Sequence, residues 1–359
     1  MGLGASYLIQ SLMIGILCAM GTYYLLKALI NNSQKLGLLD VPNSRSSHCT
    51  PTPRGGGVVF FFIFMIGIAA LYFCKLIDRH WVLPLLLGCP IVTIVGFMDD
   101  KRSLPAGFRL VVHLFAAFAV VIGITDGFEI GLVTDFIPIK SQIFLVPLVI
   151  LFISWMINLY NFMDGIDGLA GIEGFTVCLV IAILSFWRGY YEVFAINLVL
   201  SLTLVSFLKL NWAPAKIFMG DSGAYFLGAY FAIMAIRSDQ SHSLSVATHI
   251  ILLGAFIVDA TFTLVTRIVK REKIFRPHKK HAFQKAVESG WSHSKVSLFY
   301  GIVNLFYLAP LGLCSLMYPR LSWVFIIIAL TPLFFLEYYF KLIQPKVVAE
   351  QKQYAEEGS

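Results

Sequence analysis

A stretch of amides and carboxylates near the middle of the chain has the residue types and spacing for metal or phosphate chemistry. It reads Asn158-Leu-Tyr-Asn161-Phe-Met-Asp164-Gly-Ile-Asp167-Gly168 and directly follows an apolar run. Asn161 and Asp164 are three residues apart, as are Asp164 and Asp167, so each pair could share one face of a helix. Because a surface turn would use the same residue types, the interpretation depends on whether other acids lie on the same side of the molecule.

Two further groups of acids stand at the ends of apolar runs. Asp99 and Asp100 follow one run, where they could form a solvated loop end, bind a divalent cation or take a proton from an acidic substrate. Asp221, in Phe218-Met-Gly-Asp221-Ser-Gly223, precedes another run. It suits a helix N-cap, and a helix N-terminus at a membrane surface also attracts phosphate oxygens and their metal.

Cations with two histidines among them form a third kind of cluster. The run comprises Lys270, Arg271, Lys273, Arg276, His278, Lys279, Lys280 and His281. Anchoring to the cytoplasmic membrane face explains part of it, but a diphosphate would also be well bound by such a cluster, with histidine able to change protonation near neutral pH. Arg54, followed by three glycines, adds a guanidinium beside flexible backbone.

The composition indicates which elements must position these residues. Of the 359 residues, 58% are hydrophobic and only 13% are charged, and the mean hydropathy is +0.81. Apolar runs recur along the chain, many near the roughly 20 residues needed to cross a bilayer. The sequence therefore predicts an all-α, polytopic membrane bundle. The net charge of +7 needs no nucleic-acid partner to explain it, and six scattered cysteines indicate neither a disulfide framework nor a metal site.

We predict eleven membrane spans in one integral-membrane domain, residues 1–343, followed by a charged cytoplasmic tail, residues 344–359. The spans are 7–30, 56–74, 81–98, 107–124, 143–162, 169–187, 190–208, 222–236, 247–267, 296–317 and 322–343. The odd number puts the termini on opposite sides. One side holds 21 of the 27 Lys and Arg residues together with every cluster described above. By the positive-inside rule that side is cytoplasmic and the N-terminus lies outside.

Two ionisable residues inside the spans leave a transport function open. Asp259 lies in the middle of a span and needs a partner, which Arg267 or an internal polar contact could supply. His113 is interpreted as a core histidine. A secondary transporter or lipid flippase would use these two residues as ion sites, but transporters place their acids near the bilayer midplane, whereas most acids here lie at one surface.

These motifs, in this order, resemble those of the polyprenyl-phosphate N-acetylaminosugar-1-phosphate transferases, glycosyltransferase family 4. The matching pieces are Asp99-Asp100, Asn158-x-x-Asn161-x-x-Asp164-Gly-x-Asp167-Gly, Asn211 with Phe218-Met-Gly-Asp221, and the basic loop with its histidines. The resemblance covers roughly residues 37–295. The family includes phospho-N-acetylmuramoyl-pentapeptide transferase and the enzymes that initiate O-antigen.

The resemblance implies a role for each matching residue. Asp221 is implied to bind Mg²⁺, for which Mn²⁺ is a substitute, with Asn161 as a second ligand. Asp99 and Asp100 are implied to bind or deprotonate the lipid phosphate. The implied catalytic set is Asp99, Asp100, Asp164, Asp167, Asp221 and His281. The implied residues for the nucleotide-sugar and its diphosphate are His48, Arg54, Asn158, Asn161, Asp167, Asn211, Phe218, Arg276, His278 and His281.

Departures from the family pattern point to one branch. The usual HxHH or HHH run is replaced by His278-Lys-Lys-His281-Ala, in which only His281 aligns well. The Pro-Arg-Gly-Gly-Gly form of the first loop and Gly290-Trp-Ser-His293 resemble the O-antigen-initiating branch, so a muramyl-pentapeptide substrate is not expected.

The implied reaction is transfer of an N-acetylaminosugar-1-phosphate from a UDP-sugar to polyprenyl phosphate, such as undecaprenyl phosphate, with release of UMP. It would be the first membrane step of O-antigen or cell-surface polysaccharide synthesis, at the cytoplasmic face of a bacterial inner membrane. Direct attack by the lipid phosphate and a ping-pong route through an aspartyl intermediate both stay open, as do the identity of the sugar and a homodimeric assembly.

Overall fold

The computed structural model describes residues 3–40, 42, 50–124, 142–273 and 278–343, and it is a bundle of α-helices. The longer helices are α1 Leu3–Asn32, α2 Gly56–Phe73, α3 Arg79–Lys101, α4 Ala106–Gly123, α5 Gln142–Met163, α6 Leu169–Trp187, α7 Tyr191–Asn211 and α8 Gly220–Gln240. The helices that follow are α9 Val246–Leu252, α10 Gly254–Val269, α11 Ala282–Glu288, α12 His293–Val303, α13 Ala309–Met317 and α14 Ser322–Tyr338. Two π-helical turns, Asn304–Leu308 and Tyr339–Ile343, and a 3₁₀ turn, Pro319–Leu321, complete the helical elements.

Nine helices within the described residues are long and apolar enough to cross a membrane, or ten if α9 and α10 form one bent span. The all-α membrane bundle is therefore confirmed, and with the bent pair counted as one span it has one span fewer by length and composition than predicted. The difference is α8, whose Asp221, Arg237 and Asp239 lower its apolar content. Its residues 222–239 are nevertheless buried, because α8 runs through the core against α3, α5 and α2.

The span predicted at 247–267 is not one straight helix. It breaks between α9 and α10, and the two pieces enclose an angle of 78°. Gly254 begins the second piece and packs closely on α14, where a Cβ at this position would lie 2.8 Å from Leu330 Cδ2. The predicted tail 344–359 and most of the predicted outer loop 125–142 lie outside the described residues.

Glycines allow α8 to approach its neighbours closely. A Cβ on Gly57 of α2 would lie 2.2 Å from the backbone nitrogen of Gly223, and a Cβ on Gly96 of α3 would lie 2.5 Å from Ser222 Cα. Small residues at membrane helix crossings permit such backbone contact. The first turn of α8 is thereby held between the N-terminus of α2 and the C-terminal part of α3.

A short pair of strands joins the first inner loop to the same place. Strand β1, Leu39–Asp40, pairs antiparallel with β2, Thr52–Pro53. Beyond β2 the chain pairs with the segment before α8, because Phe218 N donates to Pro53 O at 2.8 Å and Gly57 N donates to Met219 O at 2.9 Å. These bonds place Arg54 beside the start of α8.

The α2–α8 crossing gives a stability prediction. We expect Gly57→Ala to destabilise the protein by about 1–3 kcal/mol or more, because the new methyl group meets backbone atoms that cannot move aside. Gly107→Ala is the matched control, since a Cβ there meets nothing within 4 Å and alanine is the better helix former. Thermal unfolding in detergent measures both variants. Equal melting temperatures for the two would contradict the close crossing.

Candidate active site

The Asp100 carboxylate caps helix α8 from another helix. Its Oδ1 accepts a hydrogen bond from Asp221 N at 2.8 Å, and its Oδ2 accepts from Ser222 N at 3.2 Å and Ser222 Oγ at 3.0 Å. The first amides of a helix have no partner within the helix, and a carboxylate there also interacts favourably with the helix dipole. Asp221 itself lies in the first turn of α8 and is not the N-cap that its sequence position suggested, because Asp100 supplies that contact.

The neighbouring Asp99 carboxylate is buried and has three partners. Arg109 Nη1 donates to its Oδ2 at 2.7 Å, Tyr225 OH donates to the same oxygen at 3.1 Å, and Leu104 N donates to Oδ1 at 2.6 Å. Arg109 lies near the start of α4, and about a third of its side chain is exposed. The sequence analysis did not predict a role for Arg109. Its position in the first turns of an apolar span could have indicated that it pairs with an acid.

Asp221 lies between the acid pair and the central stretch. Asn161 Nδ2 donates to Asp221 Oδ1 at 2.6 Å, and the carboxyl groups of Asp221 and Asp99 interact directly with each other. The adjacent acids Asp99 and Asp100, at the end of α3, therefore meet the distant Asp221 at the start of α8, and Asn161 joins them from α5.

This donor set fits a magnesium ion. Two carboxyl groups in contact need a proton or a cation between them, and hard oxygen ligands are those that Mg²⁺ prefers. The described residues contain no group of three or more His, Cys, Asp or Glu side chains arranged as a metal cage. Mg²⁺ does not require one, because it is usually held by one or two carboxylates together with water and substrate phosphates.

Asp164 extends this acidic region beyond the end of α5. Burial, and next the charge of Asp100, raise the pKa of Asp164 to about 7, while Arg54 opposes the shift. Asp167 has a different environment, since its Oδ2 accepts from Ala215 N at 3.0 Å and lies 3.5 Å from His293 Nδ1. Of the two acids in the central stretch, Asp164 is thus the one whose charge interacts with the acid cluster.

Two of the predicted nucleotide-binding amides have internal partners. Asn211 is buried, and it accepts from Gly168 N at 3.0 Å and donates to Ile217 O at 2.9 Å. Asn158 Nδ2 lies 3.1 Å from His113 Nδ1 and donates to Ser154 O. Asn211 thereby joins the segments that precede α6 and α8, Asn158 links α5 to α4, and the binding role of both amides stays a prediction. Phe218, half-buried, is fixed through its backbone bonds to the first loop.

The cationic residues surround the acids less closely. Arg54 Nη2 pairs with Asp40 Oδ2 at 2.6 Å and is partly exposed. Burial, followed by His281 and Arg267, lowers the pKa of His278 to about 4, so His278 is neutral near pH 7 and is not the near-neutral switch that the sequence suggested. The predicted residues His48 and Arg276 lie outside the described residues.

His281 is paired with an acid that the sequence did not connect to it. Its Nδ1 lies 3.0 Å from Asp259 Oδ1, and both side chains are buried. Arg267, one partner considered for Asp259, instead pairs with Glu272. His113 packs edge-on against Tyr225 beside its contact with Asn158. Because Asp259 and His113 are bound to neighbouring side chains, the geometry does not favour their use as ion sites for transport.

The chain is similar to a family of transferases and to several of its members. Residues 82–239 match the model of Glycosyl transferase family 4. A probable undecaprenyl-phosphate N-acetylglucosaminyl 1-phosphate transferase of Bacillus subtilis is 28% identical over 291 residues, which cover 78% of each chain. A phospho-N-acetylmuramoyl-pentapeptide-transferase of Clostridium botulinum is 28% identical over 71% of this chain and 79% of its own. A decaprenyl-phosphate N-acetylglucosaminephosphotransferase of Mycobacterium tuberculosis is 27% identical over 80% and 78%.

The raised pKa of Asp164 predicts how stability depends on pH. The unfolded chain releases this proton near pH 4 and the folded protein near pH 7, so ionisation opposes folding as the pH rises through that interval. Asp164→Asn cannot ionise, and we expect its stabilising effect to grow by roughly 2–3 kcal/mol between pH 5 and pH 8. Thermal unfolding in EDTA-containing buffer at both pH values measures it. The exposed Asp78→Asn is the control, and a pH-independent effect of Asp164→Asn would contradict the prediction.

Proposed function

Because this chain belongs to glycosyl transferase family 4, we propose that it transfers an N-acetylaminosugar-1-phosphate from a UDP-sugar to polyprenyl phosphate and releases UMP. The observation that carries the proposal is the meeting of Asp99, Asp100, Asp221 and Asn161 at the ends of three helices. Such a cluster of hard oxygen donors suits chemistry between two anionic phosphates, which repel each other unless a cation is present.

The names of two relatives support N-acetylglucosamine as the first sugar to test. The proteins of Bacillus subtilis and Mycobacterium tuberculosis are both named as N-acetylglucosamine phosphate transferases that act on a polyprenyl phosphate. We therefore take UDP-N-acetylglucosamine and undecaprenyl phosphate as the proposed substrates. The O-antigen-like loops in the sequence support use of the product in a cell-surface polysaccharide.

Asp221 and Asn161, next to Asp99, are the residues we propose to hold Mg²⁺. When bound, the ion would neutralise the diphosphate and stabilise the charge that develops on the departing UMP. Asp100 would keep Asp221 in place, since it fixes the first turn of α8 that carries this residue. The amide of Asn161 would present its oxygen to the ion, which requires rotation of the amide from the donor contact it makes with Asp221.

The remaining residues would bind and orient the two phosphates. Asp99 would accept the proton of a singly protonated lipid phosphate, and Arg109, its partly exposed ion-pair partner, would then bind the phosphate oxygens. The deprotonated oxygen attacks the phosphorus that carries the sugar. A new P–O bond forms there as the bond to the bridging oxygen of UMP breaks, so that UMP leaves with that oxygen. Arg54, whose charge acts on the nearby Asp164, would bind the nucleotide phosphate.

The membrane supplies the second substrate. We propose that the acid cluster lies at the cytoplasmic face of a bacterial inner membrane, which agrees with the excess of Lys and Arg residues on that side of the predicted topology. A lipid phosphate anchored in the inner leaflet would reach the ends of α3 and α8 without leaving the bilayer. Holding both substrates in line would contribute a large share of the rate.

An assay of the purified protein with undecaprenyl phosphate, Mg²⁺ and a panel of UDP-sugars tests the function. We expect UMP release with UDP-N-acetylglucosamine, dependent on both the lipid and the metal. Asp221→Asn should lose activity on the order of 100-fold or more, because the charge that holds the metal is removed. Asp78→Asn, at the opposite end of α3, is the matched control. No UMP with any sugar would refute the transferase, and full activity of Asp221→Asn would refute only the metal assignment.

The direct attack predicts the behaviour of labelled UMP. Without lipid acceptor, we expect no exchange of label between UMP and the UDP-sugar, because no sugar-phosphate is carried on the enzyme. Exchange measured by scintillation counting after separation of the two nucleotides would instead favour an aspartyl intermediate. The same incubation with added polyprenyl phosphate provides the positive control.

A further inference from the structure

A buried polar cluster links the basic loop to the C-terminal end of the described chain. It consists of Asp259 in the middle of α10, His281 immediately before α11, and Lys341 in the final π-helical turn. Asp259 is fully buried, and the side chains of His281 and Lys341 are less than 10% exposed. Burying a charged side chain at such a position costs much free energy unless the charge is paired. The partners of Asp259 therefore show which parts of the chain the cluster connects.

Asp259 receives hydrogen bonds from three separate parts of the chain. His281 Nδ1 lies 3.0 Å from its Oδ1, and Ala282 N donates to Oδ2 at 3.0 Å. Lys341 Nζ donates to Oδ1 at 2.9 Å, and Tyr300 OH donates more weakly to Oδ2 at 3.4 Å. A single carboxylate therefore fixes both the ring of His281 and the first amide of the helix that follows it.

Lys341 compensates the charges that this arrangement buries. Its ammonium group also donates to Thr263 Oγ1 at 2.6 Å and forms an ion pair with Glu337 Oε2 at 2.6 Å. Two carboxylates and one ammonium are thus packed together inside the bundle. The contact ties the end of the last helix to α10, and through Asp259 to the basic loop.

The His281 ring also packs near the central stretch. The ring stacks on Phe283 at a centroid distance of 5.6 Å and lies 6.3 Å from the ring of Phe162, the residue next to Asn161. Phe283 in turn packs against Gly165, since a Cβ there would lie 2.8 Å from the Phe283 ring. With Nδ1 bound to Asp259, Nε2 is the ring nitrogen left for a substrate.

We propose that Asp259, held in place by Lys341, is the positioning residue that orients His281 toward the diphosphate of the nucleotide-sugar. A carboxylate on Nδ1 selects one tautomer and one ring orientation, as in other sites where an acid supports a functional histidine. The proposal rests on the transferase function and adds that the C-terminal helix is part of the active-site structure.

A double-mutant cycle distinguishes positioning from a general structural role. We expect Asp259→Asn to lower kcat by on the order of 10-fold to 100-fold and His281→Gln by on the order of 100-fold. The double variant should be no slower than His281→Gln alone, because Asp259 acts through the ring that has been removed. Multiplicative losses in the double variant would overturn the proposal.

Two further variants keep the test decisive. Lys341→Met leaves the bonds between Asp259 and His281 in place but removes the cation, and we expect a smaller loss of kcat that also vanishes in the His281→Gln background. Glu173→Gln is the matched control, because it removes another buried carboxylate that contacts Asn304 instead of His281. If Asp259→Asn does not fold, the cycle with Lys341→Met decides the question by the same criterion.

Amide hydrogen exchange gives a readout that does not depend on turnover. In Asp259→Asn we expect faster exchange in peptides covering residues 278–288, because an amide replaces the carboxylate that accepts from Ala282 N. We expect a smaller increase in Lys341→Met, where the carboxylate loses the ammonium that holds it, and no change in Glu173→Gln. Unchanged exchange in both variants would overturn the positioning role. A wild-type protein that releases no UMP, but shows this exchange pattern in the variants, would refute the transferase function and retain the anchoring of His281.

Discussion

The capping of α8 by Asp100 is the contact on which the rest of the site depends. The first amides of a helix have no acceptor within the helix, and a buried amide left unsatisfied costs about 1–3 kcal/mol. From its place at the end of α3, Asp100 accepts hydrogen bonds from two of these amides and from the Ser222 hydroxyl group. Because Gly96 allows α3 to lie directly against Ser222, this bond also fixes where Asp99 and Asp221 meet. The helix cap and the contact with Asp221 are therefore produced by the same two adjacent residues.

The resulting site has more negative than positive charge. Asp99, Asp100, Asp164 and Asp221 interact with one another, and the guanidinium groups close to them are those of Arg109 and Arg54, the latter already paired with Asp40. Such a site would repel a diphosphate as long as it held no cation. Together with burial, this excess of negative charge raises the pKa of Asp164. A divalent metal that arrives with the anionic substrate would relieve the repulsion, which explains in electrostatic terms why acids and a phosphate substrate belong together here.

The sequence predicted the helices and the convergence of the acids, but not their partners. Long apolar runs and the placement of basic residues report local properties of the chain, so the all-α bundle could be predicted to within a few residues. The contact of Asn211 with Gly168, that of Asp259 with His281 and the pairing of Arg109 with Asp99 depend on how distant segments pack. Nothing in the spacing of Asp259 and His281 indicates that a break of 78° between α9 and α10 accompanies their meeting. The family resemblance could propose roles for the acids, yet it could not show that Asn158 links two helices or that Asn211 joins the segments before α6 and α8.

The two carboxylates buried deepest in the bundle have different surroundings. Glu173 of α6 accepts from Asn304 Nδ2 at 2.6 Å, at the start of a π-helical turn, and its other oxygen has no partner among the described residues. An uncharged carboxyl group could make the same contact, since the Asn304 amide is its only polar partner on another helix among the described residues. Asp259 instead has an ammonium, an imidazole and a backbone amide around it, which together stabilise the ionised form. Asp259 makes all these contacts away from the acid cluster formed by Asp99, Asp100 and Asp221. It can hold a neighbouring side chain in one orientation, and its neighbour is the histidine that packs near the central stretch.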